Sequence, residues 1–305
     1  MSYSSGGLIQ AADYNSFKDT LNAIWSTGTG NAGYGQTAVT AVSSAATVTA
    51  TQWSTLVNAM NSALAHQGQT TVTPSPTLTA GQIVTYNSAI AAGITQTNTT
   101  KLSFGSQGTT TTGSNYATSL TGANDAIART FAITRTATFA SADQARYFFN
   151  AGGQINFVVS SATNQNSTSR SGDIVTLAAT NFGSVLAFRQ GSAGARTGTG
   201  GTLNTSTTNV GYYQLTTSDQ TLCKITSTTA SYTSDYIQLD VKSNGTQGAN
   251  GDKGTVITFT LTIYSGARTA PAFNQAIDVF VNNRLDIVYP ETTNLSDSWG
   301  TVTVG

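Results

Sequence analysis

Two N-terminal segments, residues 9–25 and 48–64, carry apolar side chains at intervals of three and four positions. This spacing places those side chains on one face of an amphipathic helix. The two segments also align with each other without gaps, which indicates an internal repeat. The matched positions are Ala11 with Ala50, Tyr14 with Trp53, Phe17 with Leu56, Leu21 with Met60, and Asn22 with Asn61. The pattern therefore predicts two related helices.

The ends of these helices carry capping signals. Asp13 falls in the first turn of the first helix, where the helix dipole favours an anion. Thr49 or Thr51 is suited to cap the second helix. A weaker third copy follows at residues 78–90, with Thr79 as its predicted N-cap. Together these signals predict a small helical module over residues 1–98.

From about residue 99 the helical spacing gives way to alternation of apolar and polar residues. Alternation is clearest at residues 256–263, where Ile257, Phe259, Leu261 and Ile263 share the expected core face. Short alternating runs between Gly, Asn, Ser and Asp turns predict an antiparallel β-sandwich of jelly-roll type over residues 99–305. The remaining strands are predicted around Phe131 and Ile133 and at residues 173–188, 210–215, 221–226, 236–241, 276–289 and 299–304, with residues 109–112 as an exposed loop. The expected fold class is α+β.

Residues 145–160 are predicted to form a β-hairpin in the middle of a sheet. Tyr147, Phe148 and Phe149 supply aromatic residues that are common in strands. The following residues 150–153 contain two glycines, which tolerate the positive φ of a tight turn. Alternation then resumes on the predicted return strand.

Composition narrows the classes of function. Charged residues make up only 9% of the chain, and 13 Lys and Arg balance 13 Asp and Glu. A chain without net charge has no field to attract nucleic acid or a lipid surface, so neither is an expected partner. Threonine-rich, uncharged strands pack closely without desolvating charges, which favours a subunit of an assembly.

Targeting and cysteine signals are sparse. No segment approaches about 18 consecutive apolar residues, so no transmembrane helix is expected. The N-terminus also lacks the features of a signal peptide, and a cytoplasmic site of assembly is expected. A lone Cys223 excludes an internal disulfide and a cysteine-based zinc site, and it is expected to lie buried in a strand.

A glycine-rich segment at residues 26–36 contains Gly28, Gly30 and Gly33 in the spacing of a dinucleotide-binding fingerprint. That motif must follow a strand and open a helix, so that amide groups face a pyrophosphate. Here the segment follows a predicted helix. We therefore interpret it as a loop that ends the helix.

Candidate catalytic residues are few. The single histidine, His66, has no partner at ligand or triad spacing and is expected to be solvated at the end of a helix. The carboxylate pairs Asp235 with Asp240 and Asp278 with Asp286 are expected to be turn formers and strand-edge charges rather than the acids of a glycosidase.

Two further site types remain as minor hypotheses. Asn250 and Asp252 offer oxygen ligands in a glycine-rich loop at residues 244–254, but the pattern of a calcium loop is missing. Exposed aromatic rings can stack on sugars, and the candidates are Tyr212, Tyr213, Tyr232 and Tyr236. Neither pattern is specific, so no metal, cofactor or catalytic residue is predicted.

The pair of N-terminal helices, the sequence GYGQ after the first, ARYFFNAGGQI and GDKGTVITFTL occur together in this order. In this respect the chain resembles virion structural proteins of tailed bacteriophages, especially contractile-tailed phages of marine and cyanobacterial hosts. The resemblance implies a non-enzymatic tail, neck or fibre component, present in several copies in a virion assembled in the host cytoplasm. It implies no catalytic residues.

Three hypotheses of function follow. The first is an architectural virion subunit that binds copies of itself and other virion proteins. The second is a fibre-type adhesin that binds host-surface glycan or protein through loops such as residues 192–208. The third and most distant is a polysaccharide depolymerase. The candidate interaction residues are Tyr14, Phe17, Trp25, Trp53, Leu56, Tyr212, Tyr213, Asn250 and Asp252.

Overall fold

A computed structural model describes residues 11–44, 46–72, 87–123, 126–245, 254–268 and 275–305. Within these residues the fold is α+β, with helices in the N-terminal part and two mainly antiparallel β-sheets in the rest. The two sheets form a β-sandwich. The predicted fold class is confirmed.

Three helices precede the sheets in the described chain: α1 (Ala11–Trp25), α2 (Ala50–His66) and α3 (Asn87–Thr99). Thr49 caps α2, because its side chain accepts a hydrogen bond from the Gln52 amide while the Gln52 side chain accepts one from the Thr49 amide. Asp13 lies in the first turn of α1. Both helices and these two terminal signals agree with the predictions.

The third helix extends beyond its predicted C-terminal end. Predicted residues 78–86, including Thr79, lie outside the described residues, and α3 continues to Thr99. Ile90, Ile94 and Thr97 of α3 are buried. Their spacing of three and four is helical, but one of the three is polar, so the apolar pattern alone understated the length of the helix.

The internal repeat is also visible in the hydrogen bonds. Asn22 of α1 donates to the Val39 carbonyl and accepts from the Val39 amide, at 2.9 Å each. Its repeat partner Asn61 makes the same pair of bonds with Val72, at 3.3 and 2.9 Å. Each amide side chain satisfies a donor and an acceptor of an extended segment, as a strand would. The two repeats therefore share this asparagine-to-backbone contact as well as an apolar face.

Eleven strands of the described chain form the two sheets, and every pairing is antiparallel. The strands are β1 (Gln107–Thr112), β2 (Tyr116–Gly122), β3 (Arg129–Thr138), β4 (Gln154–Asn164), β5 (Val185–Phe188), β6 (Thr202–Ser206), β7 (Gln220–Thr226), β8 (Tyr236–Ser243), β9 (Val256–Ser265), β10 (Ile277–Pro290) and β11 (Thr303–Val304). In sheet A, β1 and β2 both pair with β10, which is followed by β4 and β5. Sheet B runs β11-β3-β9-β8-β7-β6.

The main core lies between the two sheets. The predicted core face of β9 is confirmed, because Ile257, Phe259, Leu261 and Ile263 are at most 1% exposed. Cys223 of β7 is fully buried, as predicted. Burial raises the pKa of its thiol to about 11. The alternation of β9 thus reports directly on which face meets the other sheet.

The predicted hairpin at residues 145–160 is wrong in its first half, which is helix α4 (Ala142–Asn150). Ser141 caps the helix by accepting from the Gln144 amide, and every residue from 145 to 150 is buried. A short aromatic run that is buried on all sides has no periodicity that separates helix from strand. The positive φ expected within residues 150–153 is confirmed at Gly152, at +88°, but the turn follows the end of α4 and does not connect two strands.

The predicted strand at residues 173–188 is helical over most of its length. Helix α5 (Ser169–Val175) runs directly into a π-helix (Thr176–Phe182), and only β5 is a strand. The buried positions include Arg170, Asp173 and Leu177 at helical spacing. Two of these three residues are charged, so the buried face did not appear as an apolar pattern.

Three shorter predictions also need correction. Residues 210–215 hold a 3₁₀ turn (Tyr212–Gln214) in place of a strand, since the Gln214 side chain accepts from the Gly211 amide. Residues 109–112, predicted as a loop, belong to β1 and pair with β10. At residues 299–304 only β11 is a strand. Exposed polar strands such as β1 have no alternation of apolar residues, so they cannot be predicted from the sequence pattern.

Candidate functional site

The glycine-rich loop at residues 26–36 adopts a backbone that requires glycine. Gly28, Gly30 and Gly33 have φ values of 51°, 57° and 98°. A Cβ atom added to Gly33 would lie 2.2 Å from the Thr27 carbonyl oxygen. The loop follows α1, so the interpretation of it as a loop that ends the helix is confirmed in position.

Carbonyl groups of the loop accept hydrogen bonds from side chains of α4 and of the β-sandwich. Asn150 of α4 donates to the Gly33 oxygen at 3.0 Å, and the Tyr213 hydroxyl donates to the Gly30 oxygen at 2.6 Å. Arg146 of α4 donates to the Ala32 oxygen at 2.7 Å. These partners come from separate parts of the chain. The loop whose glycine spacing resembles a nucleotide-binding motif therefore joins the helices to the sandwich.

The end of the loop contacts the C-terminal segment in the same way. The Gln36 side chain donates to the Ser296 carbonyl and accepts from the Ser296 amide, at 2.8 Å each. The Ser298 hydroxyl donates to the Tyr34 carbonyl at 2.5 Å. We call residues 26–36 together with these partners the junction. The hydrogen bonds of the junction described above are all made within the chain.

A buried hydrogen bond between a histidine and a glutamate lies beside the junction, where α2 meets the end of β10. The Nδ1 atom of His66 lies 2.9 Å from Oε1 of Glu291, and the residues are 1% and 5% exposed. The expectation of a solvated His66 is therefore wrong. The error arises because the partner, Glu291, lies far away in sequence.

The protonation of this pair follows from its surroundings. Burial lowers the pKa of His66, and the bond to Glu291 opposes this shift without overcoming it. Burial by itself raises the pKa of Glu291, but hydrogen bonds from His66 and from the Asn294 and Thr293 amides hold that pKa below its usual value. A neutral imidazole therefore donates its Nδ1 proton to an ionised carboxylate.

The predicted helical interaction residues lie inside the helical module. Tyr14, Phe17, Trp53 and Leu56 are at most 3% exposed and belong to one buried cluster. They pack against one another, and the Tyr14 and Phe17 rings each lie 6.2 Å from the Trp53 ring. Trp25 is partly buried and donates its indole proton to the Thr37 carbonyl at 2.9 Å. These positions build the core of the helical module.

The tyrosines proposed for sugar stacking are also engaged. The Tyr212 ring is buried and stacks on Phe149 at 4.4 Å. Tyr232 is 5% exposed, with the Arg268 guanidinium 4.0 Å from the ring centroid. The expectation of exposed rings is wrong for these two, and Tyr213 is half-buried at the junction.

Tyr236 lies on the outer face of sheet B, within a row of side chains. Its ring stacks on the Tyr264 ring at 5.0 Å, and the Lys224 ammonium lies 4.0 Å from its centroid. Both faces of the Tyr236 ring are therefore in contact with protein groups. A sugar would have to displace one of them.

The predicted carboxylate pairs are engaged in separate places. Asp235 is fully buried and accepts from the Ser265 hydroxyl, the Gly266 amide and Arg268. Asp240 accepts from Thr221 and Gln238 on the outer face of sheet B. Asp286 pairs with Arg284 at 2.7 Å. Asp278 lines a cleft of about 410 Å³ near Arg129.

Sequence reasoning missed Asp173, which lies in the interior near Asp235. Its Oδ1 atom accepts from the Ser227 hydroxyl at 2.6 Å, while its Oδ2 atom has no hydrogen-bond partner in the described structure. Burial raises the pKa of this carboxyl. The helical spacing from Arg170 to Asp173 is the only sequence signal that pointed to these two buried groups.

Other site types receive no support from the described residues. Asn250 and Asp252 lie outside them. Among the described residues, no group of three or more His, Cys, Asp or Glu is placed to hold a metal ion. No helix in the described part of the chain is both long and apolar enough to cross a membrane.

No family model, curated protein or solved structure matches this chain.

The surface feature that remains is the outer edge of sheet A, formed by β1 and β2 and called here the free edge (residues 107–122). Both strands pair with β10 on one side only. No strand described in the structure pairs with their other side. The segment contains no charged residue and no proline. Of its residues only Leu120 is buried.

Proposed function

We propose that this chain is a non-enzymatic architectural subunit that assembles in several copies, as a tail, neck or fibre component of a tailed-bacteriophage virion. The observation that carries the proposal is the free edge. A long, uncharged edge strand is a template for pairing with another chain, and monomeric proteins usually block such edges. Here the two edge strands themselves contain no charged residue.

The other sheet edges support this interpretation by contrast. The outer side of β5 is covered by the chain that follows it, since the amides of Gly194 and Thr197 donate to β5 carbonyls. The edge of β3 is paired with β11 at one end, and β3 carries two inward-pointing charges, Arg129 and Arg135, opposite the buried Ser265 and Phe259 of β9. β6 has only five residues. These edges are covered, charged or short, as in proteins that avoid edge pairing.

The interior supports an architectural role in a second way. The buried ionisable groups His66, Glu291 and Asp235 hold segments of the chain together through short hydrogen bonds. Asp235 is fully buried. Glu291 lines a cleft of about 540 Å³ together with Asp297, but its carboxylate is already bonded to His66 and to the Thr293 and Asn294 amides. Their arrangement favours rigidity over chemistry.

An adhesin receives less support. Tyr236 has both ring faces occupied, and the loop after β5 is tied to its neighbours by Arg196, which donates to the Asn181 and Gly200 carbonyls. A depolymerase would need two carboxyls flanking a cleft. Asp235, Asp240 and Asp286 instead have separate partners.

Immunogold electron microscopy of virions tests the proposal, with an antibody raised against residues 100–305. Gold at the head, neck or tail is expected for an architectural subunit. Gold confined to fibre tips would favour the adhesin instead. Absence of gold from particles that contain the chain's gene, with a positive control antibody against another virion protein, would contradict a virion role.

A further inference from the structure

The free edge consists of two strands of similar length on either side of a short interruption. β1 and β2 contain six and seven residues, and residues 113–115 separate them. Both halves run in the same direction along β10, so together they act as one interrupted strand. At about 3.3 Å per residue the free edge is about 50 Å long.

The interruption is a bulge. Between Thr112 and Tyr116 the free edge has one residue more than β10 has between their partners, Asp286 and Asn283. The bulge is anchored, because the Gly113 amide donates to Asp286 and Arg284 donates to Asn115. A straight strand cannot stay in register on both sides of a bulge. A second copy carries the same bulge at the same place.

We propose that the free edge pairs with the free edge of a second copy across a two-fold axis, so that β1 of each copy lies beside β2 of the other. This inference rests on the proposed architectural function and names its partner. Two-fold symmetry makes such a contact antiparallel and self-complementary. The two A sheets then form one continuous sheet.

The alternation of side chains and the alignment of the two bulges together set the register. Thr110 faces Val288 and Ser119 faces Phe280, two positions of β10 that lie on its outer face. Residues directly opposite in an antiparallel pair must point to the same face. The bulge shifts the alternation by one residue, which puts Thr110 and Ser119 on the same face. Placing the two bulges opposite each other then pairs Thr110 with Ser119 and Thr112 with Ala117, and the axis falls between Ser114 and Asn115.

The composition suits this contact. The outward residues of the pairs are Thr, Ser and Ala, and a hydrogen bond between a threonine and a serine on facing strands stabilises a sheet. A second irregularity of β1 between Gln107 and Thr110 marks the outer limit of regular pairing. Because residues 107–122 contain no charged residue, two copies of these strands bring no like charges together. The same edge offers an unrelated charged strand no complementary charge.

A charge-swap series tests the contact by sedimentation equilibrium. T110K/S119K places like charges opposite each other twice in the dimer and should weaken association about tenfold. T110K/S119E places opposite charges there and should restore association. T202K on β6, the short edge of sheet B, serves as the matched control and should have no effect. Unchanged association of T110K/S119K, or its failure to recover in T110K/S119E, would overturn the proposal.

Cysteine cross-linking tests the register independently. Directly opposite residues have Cα atoms about 4.5–5.5 Å apart, within the range of a disulfide. Oxidised T110C/S119C should give a covalent dimer, whereas S119C alone should give none, since Cys223 is buried. A covalent dimer from S119C alone would show β2 paired with β2 and overturn the register. Presence in virions combined with an intact T110K/S119K assembly would reject this contact while sparing the proposed function.

Discussion

The glycine-rich loop of the junction and the free edge are both uncharged and polar, and neither sequence indicates its role. The structure nevertheless uses them in opposite ways. At the junction, Gly30, Ala32 and Gly33 each give a carbonyl to a side chain from a distant element. Along the free edge, the described chain supplies partners on one side only.

The difference shows how to separate an internal connector from an assembly surface. Buried backbone groups must be paired, so a segment that pairs all of them within the chain has nothing left to offer a partner. A segment that leaves one row unpaired at the surface has that row available. Composition alone did not distinguish them, because both lack charge.

The largest expected effect is at the junction, in the variant G33A. Gly33 has a φ of +98°, and an added Cβ would lie 2.2 Å from the Thr27 oxygen. Strain and overpacking together should lower the free energy of unfolding by about 4 kcal/mol, measured by urea denaturation. G191A is the matched control, since nothing lies within 4 Å of its added Cβ. Equal stability of the two variants would contradict the account of the junction.

The second effect is a pH dependence of the free energy of unfolding, caused by His66 beside the junction. The pKa of folded His66 is lowered, so the unfolded chain binds a proton first as pH falls below about 6.5. The stabilisation is therefore complete above that pH and is lost as pH falls toward the folded pKa, with a slope of at most about 1.4 kcal/mol per pH unit.

The variant H66Q should remove this part of the slope between pH 7 and 5, as followed by urea denaturation at each pH. Comparison with the original chain is needed because Asp173 acts in the opposite direction. Burial raises its pKa, so its folded form takes up a proton first and gains stability as pH falls. An identical slope in H66Q would show that His66 does not titrate as described.

A smaller effect is expected inside the helical module. N22A removes both bonds to Val39, and N61A removes the equivalent bonds to Val72. Each should cost about 1–2 kcal/mol in thermal denaturation, because a backbone donor and acceptor lose their partners. A loss in only one of the two would show that the repeat does not preserve this contact.

The smallest effect on folding is expected at the free edge. Thr110 and Ser119 are exposed, and exposed substitutions usually change the free energy of unfolding by less than about 0.5 kcal/mol. T110K/S119K should therefore unfold like the original chain in denaturant at low protein concentration, although its association is weakened. A large loss of stability in this variant would mean that the edge serves the fold of the single subunit.

Sequence reasoning predicted the elements whose apolar residues face one core. α1, α2 and β9 were found because their buried positions are almost all apolar and regularly spaced. α5 was missed because Arg170 and Asp173 occupy its buried face, and α4 was missed because it is buried on every side.

The site was harder to predict than the fold. Glycines at Gly28 and Gly33 identified a loop with unusual backbone, but not the partners Asn150 and Tyr213, which lie over a hundred residues away. The pairing of His66 with Glu291 is equally non-local. The free edge had no apolar alternation at all, so only the register with β10 revealed it.

The oligomeric state of the unmodified chain tests the central claim most directly. Sedimentation velocity over a range of protein concentrations measures it without any variant. The account predicts a species at least twice the 31.4 kDa mass of one chain, whose proportion rises with concentration. A single 31.4 kDa species at every concentration would contradict it.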